Sequence, residues 1–150
     1  MVTPAEITQH FHSKIPISRE MGLEVREISS SRAIVFVPLK PNINHVQTAF
    51  GGSLYAAAAL SCYALFQALA REAGGLSDEL VIQEGRIQYL APVSGDFTVE
   101  SSLENPGDDQ VFISTLRRKG RARLKLNAKA MYLGKVCAQF GGTYVFKSSN

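Results

Sequence analysis

The sequence predicts an α+β domain in which a curled antiparallel sheet wraps around one long apolar helix. The stretch from Ala49 to Ala70 contains no Lys, Arg, Asp or Glu, and a helix that is apolar on every side must be buried on every side. Most of the chain after it alternates apolar and polar residues with the period of two that is typical of strands. A single apolar helix beside a sheet, in so small a chain, requires the sheet to curl around it.

The bulk composition indicates one ordinary globular domain covering residues 1–150. The chain is 45% hydrophobic, and its mean hydropathy is +0.00, as in a typical globular protein. The N-terminal segment is polar and lacks the apolar stretch of a signal peptide. Cys62 and Cys137 lie in apolar surroundings without metal-binding spacing, which favours two core residues of a cytoplasmic protein.

A membrane span is the alternative interpretation of the long apolar stretch, because residues 49–70 are enough to cross a bilayer. Ser53, Ser61 and Gln67 interrupt this stretch, and the well-patterned remainder of the chain favours a core helix. We therefore expect no membrane partner.

Periodicity and turn-forming residues predict the other elements. A short helix over Pro4–Lys14 should end at Pro16, and Gly74-Gly75 should end the long helix. The segment 33–39 is apolar throughout, as expected of a strand covered on both faces. The predicted strands cover 23–28, 33–39, 79–90, Phe97–Leu103, 121–133 and 136–146.

Several glycines should mark irregular points in these strands. Gly85 indicates a bulge or a close backbone approach, and alternation places it on one strand face with Val81, Ile87 and Tyr89. Gly141-Gly142 predicts a bulge in the last strand, and Gly134-Lys135 predicts a hairpin turn.

Residues 105–119 carry mixed signals. Three consecutive β-formers in the middle of the segment favour a strand. Asn105 as the N-cap, Pro106 at the first helical position and Gly120 just past the end favour a helix. We predict a short helix.

The charge is mild overall but unevenly distributed. The net charge is +3 and the pI is about 9.0, yet seven basic residues lie between Arg117 and Lys129. Such a cluster suits a polyanionic ligand, and it is equally consistent with a solvated basic face.

The start of the long helix is the most informative stretch for chemistry. Gly51 and Gly52 precede the uncharged segment, and a helix N-terminus offers free N–H groups and a partial positive charge. Without a Cβ in the way, an oxyanion could approach these donors. The alternative is that two glycines only allow a tight entry into the helix, with Ser53 or Thr48 as its cap.

The order of elements (short helix, two strands, long helix, then mainly antiparallel strands) is that of a hotdog fold. The sequence resembles hotdog-fold acyl-CoA thioesterases, most closely the thioesterase-like domain at the C-terminus of YiiD-type proteins. The resemblance covers nearly the whole chain and is carried by residues 44–55, 89–93, 95–97, 118–124 and 140–145.

One loop shows both agreement with and departure from related enzymes. Phenylacetyl-CoA-type thioesterases carry Asn-x-x-Gly-x-x-His-Gly-Gly, and Asn44, Gly51 and Gly52 match that pattern. Gln47 replaces the first glycine of the pattern, Phe50 replaces its histidine, and Ala59 stands where those enzymes have a catalytic aspartate.

The resemblance implies a site at the helix start, completed between protomers of a homodimer or a dimer of dimers. Water or the acyl carbonyl would be oriented by Asn44, with His45 as a candidate base and Glu84 as the nearest substitute carboxylate. Both Asn44 and His45 could instead be ordinary loop residues. The predicted catalytic residues are Asn44, His45, Gly51 and Gly52. The predicted substrate-binding residues are Gln47, Phe50, Ser53, Tyr55, Arg118, Lys119, Arg121 and Arg123, the four basic ones for the CoA phosphates.

The implied function is acyl-CoA hydrolysis, with the coenzyme A moiety as part of the substrate and no metal or other cofactor. A non-catalytic module that binds acyl-CoA or acyl-carrier protein is the first alternative, favoured by Ala59. A hotdog dehydratase is disfavoured because no His/acid pair has a suitable spacing. A nucleic-acid module is disfavoured because no aromatic residues are interleaved with the bases.

Overall fold

The protein forms a six-stranded antiparallel sheet curled around one long helix. The computed structural model describes residues 2–73 and 79–147, and the strand order is β1-β2-β4-β5-β6-β3. The helices are α1 (Pro4–Lys14), α2 (Pro16–Glu20), α3 (Gly51–Ala73) and α4 (Asp108–Lys119). The strands are β1 (Glu24–Ile28), β2 (Arg32–Val37), β3 (Leu80–Tyr89), β4 (Phe97–Leu103), β5 (Arg121–Tyr132) and β6 (Lys135–Lys147).

Helix α3 is the core of the fold, as its uncharged sequence predicts. The stretch Gly51–Arg71 is long and apolar enough to cross a membrane, but 67% of its most apolar window is buried inside the protein. Leu65, Phe66 and Leu69 are at most 1% exposed. The helix therefore packs as a core helix of this domain. The predicted stop at Gly74-Gly75 lies outside the described residues.

The elements before α3 agree with prediction, with one correction. Helix α1 has the predicted bounds, and Pro16, which was expected only to end it, also opens the short helix α2. The prediction that β2 is covered on both faces is wrong. Val35 and Val37 face the core, whereas Phe36 is half-buried on the outer face beneath the guanidinium of Arg26, 4.0 Å from the ring centroid.

The helical prediction for 105–119 is confirmed, but α4 starts later than Asn105 and Pro106 suggested. Gly107, with φ of +91°, is the N-cap, a conformation that favours glycine. The carboxylate of Asp108, the first residue of α4, accepts a hydrogen bond from the Asn105 N–H at 3.0 Å. This bond stabilises the turn that precedes the helix. Gly120 ends the helix as predicted, with φ of +73°.

The bulge in β3 changes which residues face the core. The register of β3 against β6 shifts between Ile82 and Glu84, so the strand is split into two halves. Gly85 pairs with Gly142 on the inner face, whereas Val81 points outward and is 59% exposed. The expectation that Val81 shares a face with Gly85 is therefore wrong, and the bulge near Gly85 is confirmed.

The expected bulge at Gly141-Gly142 is absent from the described ladder, whose register there is regular against both neighbours. A Cβ on Gly142 would lie 2.9 Å from ring atoms of both Phe140 and Tyr144, so this glycine serves packing. The turn between β5 and β6 has positive φ at Leu133 and Gly134, one residue earlier than predicted.

Candidate active site

The two ends of the loop that leads into α3 are bonded to each other and to the connection between β3 and β4. Ile43 and Ala49 form a β-bridge, and the Ala49 N–H donates to the Val93 carbonyl at 2.8 Å. The Phe50 N–H donates to the Asn42 carbonyl at 2.8 Å. The first turn of α3 is therefore held in place by backbone bonds.

Two amide groups open the helix without an intrahelical partner. The N–H groups of Ser53 and Leu54 both donate to the Phe50 carbonyl, at 2.9 and 3.1 Å, so Gly51 and Gly52 precede the first helical bonds. Gly52 is exposed. The ring of Phe50 lies against Gly52, where a Cβ would collide with it. The arrangement is a pair of donors beside an apolar wall.

Tyr89, which sequence reasoning did not select, completes this end of the helix. Its hydroxyl donates to the Gly51 carbonyl at 2.8 Å, and its ring lies 3.4 Å from where a Gly51 Cβ would be. Desolvation, and then the neighbouring Tyr55, raise the pKa of Tyr89 above its usual value, so it remains a donor at neutral pH. The sequence did place Tyr89 on the same strand face as Gly85 and Ile87, and this was the pattern that could have identified it.

Asn44 shapes the loop, as its alternative interpretation held. Its carbonyl oxygen accepts from the N–H groups of Val46 and Thr48, both at 3.0 Å. Its amide donates to the Thr48 hydroxyl at 2.9 Å. An amide nitrogen has two hydrogens, so one remains for a water or an acyl carbonyl. The hydroxyl of Thr48, a candidate cap of α3, accepts this hydrogen bond within the loop.

His45 and Gln47 are exposed in the turn that Asn44 closes. Gln47 has φ of +65°, in the left-handed region that costs a non-glycine residue about 1 kcal/mol. Glycine at this position in the related loop pattern is thereby explained, since glycine adopts that conformation without a steric penalty.

Replacing Gln47 by glycine should therefore be tolerated. We expect Gln47→Gly to raise the free energy of unfolding by up to about 1 kcal/mol, because relief of strain exceeds the added chain entropy. Gln47→Val should lower it by a similar amount, since β-branched residues fit this region least. Chemical denaturation of the three proteins measures the order, and a destabilised glycine variant would contradict the strain argument.

Tyr55 and Ser53 lie in the same first turns of α3 and are half-buried. The Tyr55 ring packs edge-on against Phe140, with centroids 5.2 Å apart, and its hydroxyl sits directly over Gly85. The predicted close backbone approach at Gly85 is this contact.

One face of α3 is only partly covered by the protein's own sheet. Gly52 is exposed, and Ala56, Ala59 and Tyr63 follow on the same face as half-buried residues. The spacing of three or four residues puts them in one line. None of these four residues is a carboxylate, and Ala59 occupies the helix position where the related loop pattern is followed by an aspartate.

Buried polar groups near Ala59 are committed to structure. The Tyr144 hydroxyl donates to the Ala59 carbonyl at 3.0 Å. Burial raises the pKa of the Cys62 thiol to about 12, an effect only partly offset by its hydrogen bond with Tyr144. A protonated, fully buried thiol is a poor nucleophile, which removes Cys62 as a candidate.

The predicted basic residues do not lie near the helix start of the same protomer. Arg121 and Arg123 are exposed on the face of β5 opposite α3, and Arg118 and Lys119 are exposed in the last turn of α4. The Tyr89 row of the sheet crosses β5 at Ala130, about 23 Å along the strand from Arg123 at roughly 3.3 Å per residue. Glu84 also points away from α3, because its neighbour Gly85 faces inward.

Within the described residues, no group of three His, Cys, Asp or Glu side chains could hold a metal ion. The groups that lie at or near the helix start are the backbone donors of Gly51 and Gly52, the Asn44 amide, the His45 imidazole and the Tyr89 hydroxyl.

The six-stranded sheet curled around α3 defines a hotdog fold. The chain belongs to the family described as "putative thioesterase (yiiD_Cterm)", whose model matches residues 4–148.

Solved structures show the same fold over nearly the whole chain. A thioesterase-class protein from Shewanella oneidensis is 30% identical, with 96% of each chain covered and a TM-score of 0.85. A protein of unknown function from Chlorobaculum tepidum is 32% identical, with 98% of each chain covered and a TM-score of 0.88. A probable thioesterase from Pseudomonas aeruginosa, 22% identical over 99% of this chain and 98% of its own, shares the fold with a TM-score of 0.79.

Proposed function

We propose that the protein is a cytoplasmic acyl-CoA thioesterase whose site lies at the start of α3. The observation that carries the proposal is the pair of N–H groups at Gly51 and Gly52, which precede the helical bonds in a first turn where Gly52 is exposed. Backbone donors fixed before the reaction are what a developing oxyanion requires. Membership of a thioesterase family supports this chemistry over other uses of a helix start.

In the proposed mechanism the Gly52 N–H binds the thioester carbonyl oxygen. Water attacks the carbonyl carbon, the carbon–sulfur bond breaks, and the thiolate of coenzyme A leaves and takes up a proton. His45 accepts a proton from the attacking water, and the remaining amide hydrogen of Asn44 orients that water. Tyr89 holds the Gly51 carbonyl and so fixes the peptide plane between the two glycines.

A panel of acyl-CoAs, from acetyl to palmitoyl, tests the proposal by following thiol release over time. We expect turnover on at least one chain length and loss of most of it in Asn44→Ala. Activity that survives Asn44→Ala would remove Asn44 from the mechanism while leaving the function intact.

A non-catalytic acyl-CoA-binding module is the second candidate, and Ala59 favours it. The partly covered face of α3 carries a methyl group where a carboxylate would activate water. Saturable binding of acyl-CoA without thiol release on any chain length would support the module and exclude the enzyme.

We further propose that the site is completed in a homodimer formed through β3. This strand lies at an end of the sheet order, so one of its edges is open for pairing. Its last residue, Tyr89, and the next residue, Leu90, are 54% and 53% exposed. Antiparallel pairing of two copies centred on Gly85 would set Glu84 opposite Arg86 of the second copy, twice. The same association would cover the remainder of the partly covered face of α3.

Charge exchange at these two positions tests the dimer. Glu84→Arg should weaken it by about 2 kcal/mol, roughly a 30-fold rise in Kd, because two attractive cross-strand pairs become repulsive. The double variant Glu84→Arg/Arg86→Glu restores both pairs and should recover the Kd. Sedimentation equilibrium measures all three proteins. A double variant as weak as the single one, or a monomeric parent, would refute this register.

A further inference from the structure

A cavity lies on the opposite face of the sheet from α3. It is a cleft of about 710 Å³ between α4, which contributes Asp108, Val111 and Thr115, and the outer sheet face, which contributes Lys125, Gly141 and Arg86. We call it the outer cleft. Its volume is that of a small-molecule site, and nothing in the proposed hydrolysis uses it.

The charges that line the outer cleft are not paired with one another. Arg123 and Lys125 face it from β5, and Glu104 and Asp108 face it from the segment that enters α4. None of the four makes an ion pair within 4.0 Å with any described residue. Among the described residues, the only side-chain hydrogen bond of these four groups is the one that Asp108 accepts from the Asn105 N–H. The two basic groups are therefore available to bind an anionic part of a ligand, and the two carboxylates to accept hydrogen bonds from its donors.

Gly141 forms the floor of the outer cleft, and neither packing nor backbone conformation requires a glycine at this position. A Cβ on Gly141 would meet only the Asn127 side-chain oxygen, at an ordinary 3.6 Å, and its φ is not in the left-handed region. A glycine inside a strand costs about 0.5–1 kcal/mol relative to alanine. Gly142, by contrast, is required by packing. The absent side chain at Gly141 therefore provides space above the sheet rather than satisfying the backbone.

We propose that the outer cleft binds a phosphorylated nucleoside. Arg123 and Lys125 would hold the phosphates, because a guanidinium fork and an ammonium both suit phosphate oxygens. Glu104 would accept from the ribose hydroxyls, as carboxylates do in nucleotide sites. The side-chain amides of Asn105 and Asn127, which also line the cleft, offer both donors and acceptors to the edge of a base.

Two sources supply this chemistry, a free nucleotide and the nucleotide end of a coenzyme A ester. The proposal does not depend on hydrolysis at the helix start, since the two sites lie on opposite faces of the sheet. If β3 pairs as proposed, Glu84 and Arg86 are engaged across that interface, and the four charges named above remain in the cleft.

Calorimetric titration with ADP, adenosine and inorganic pyrophosphate tests the proposal. ADP should bind at one site per chain, with at least tenfold lower affinity in Gly141→Leu, which fills the floor, and in Arg123→Ala. Gln139→Leu is the matched control, because Gln139 is exposed on the same outer face of β6 but does not line the cleft; it should bind as the parent does. Glu104→Gln should weaken ADP and leave pyrophosphate unchanged.

Two results would overturn the proposal: pyrophosphate binding as tightly as ADP, or ADP affinity unaltered in both Gly141→Leu and Arg123→Ala. Coenzyme A that competes with ADP identifies the substrate's own nucleotide as the ligand, and ADP binding without competition identifies a free nucleotide. A pantetheine thioester, which lacks the nucleotide, separates the two sites. The parent and Gly141→Leu should hydrolyse the pantetheine thioester at equal rates. If neither the pantetheine thioester nor any acyl-CoA is hydrolysed while ADP still binds, the proposed hydrolase activity is refuted and the nucleotide site is not.

Discussion

Gly52→Val should lower kcat for acyl-CoA hydrolysis by about 100-fold or more, the usual effect of losing one oxyanion donor. The valine side chain would stand between the Gly52 N–H and any approaching carbonyl oxygen. The fold should survive, because Gly52 is exposed and glycine is itself a poor helix former. Thiol release at saturating substrate and thermal melting measure the two effects.

The ring of Phe50 requires a control for that experiment, because a Cβ at position 52 collides with it. Phe50→Ala reports what displacement of the ring does alone, and Gly52→Val/Phe50→Ala removes the collision while keeping the block. We expect the double variant to stay as slow as Gly52→Val. A double variant with parental kcat would show that the displaced ring, and not a blocked amide, had slowed Gly52→Val.

Gly85→Ala should lower the free energy of unfolding by about 1–3 kcal/mol, the range for overpacking a well-filled core. Its methyl group would collide with the Tyr55 hydroxyl and lie 3.0 Å from the ring carbon that bears it. Tyr55 cannot withdraw freely, since it packs edge-on against Phe140. Chemical denaturation should show the loss as a lower midpoint with an unchanged slope.

The adjacent strand offers a matched control for Gly85→Ala. Gly141 pairs with Arg86, next to Gly85, yet has room for a methyl group, so Gly141→Ala should be neutral or stabilising by about 0.5 kcal/mol. Adding Tyr55→Phe to Gly85→Ala removes the colliding oxygen and should recover part of the loss. Equal effects at Gly85 and Gly141 would show that general strand propensity, rather than the Tyr55 contact, governs both.

Patterns that depend on one segment alone were sufficient for most of the fold. The uncharged stretch identified α3 because burial on all sides leaves no position for a charge, and the alternation in 121–133 gave the inward and outward residues of β5 correctly. Gly120 marked the end of α4 because a left-handed C-cap is a local requirement.

Features that depend on a neighbouring strand could not be predicted in the same way. Gly141-Gly142 suggested a bulge, but Gly142 is small because the rings of Phe140 and Tyr144 occupy its space, and those rings meet only in the folded sheet. Tyr89 was missed for a similar reason, since its bond to Gly51 joins residues that are distant in sequence.

The candidate site shows the same division. The donor pair at Gly51-Gly52 was predicted from the helix start. In the structure the pair follows a loop held by backbone hydrogen bonds, and Gly52 is exposed. The distance between that end and Arg123 follows from sheet register, which the sequence does not give. The roles assigned to these residues stay predictions until the variants above are measured.

The irregularity between Ile82 and Glu84 divides β3 into two stretches whose side chains alternate independently. Leu80 and Ile82 anchor the strand in the core, while the half from Gly85 to Tyr89 adjoins Tyr55 and the helix start. Deletion of Gln83 would remove the extra residue and join the two halves into one regularly alternating strand, in which Ile82 and Gly85 still face the core.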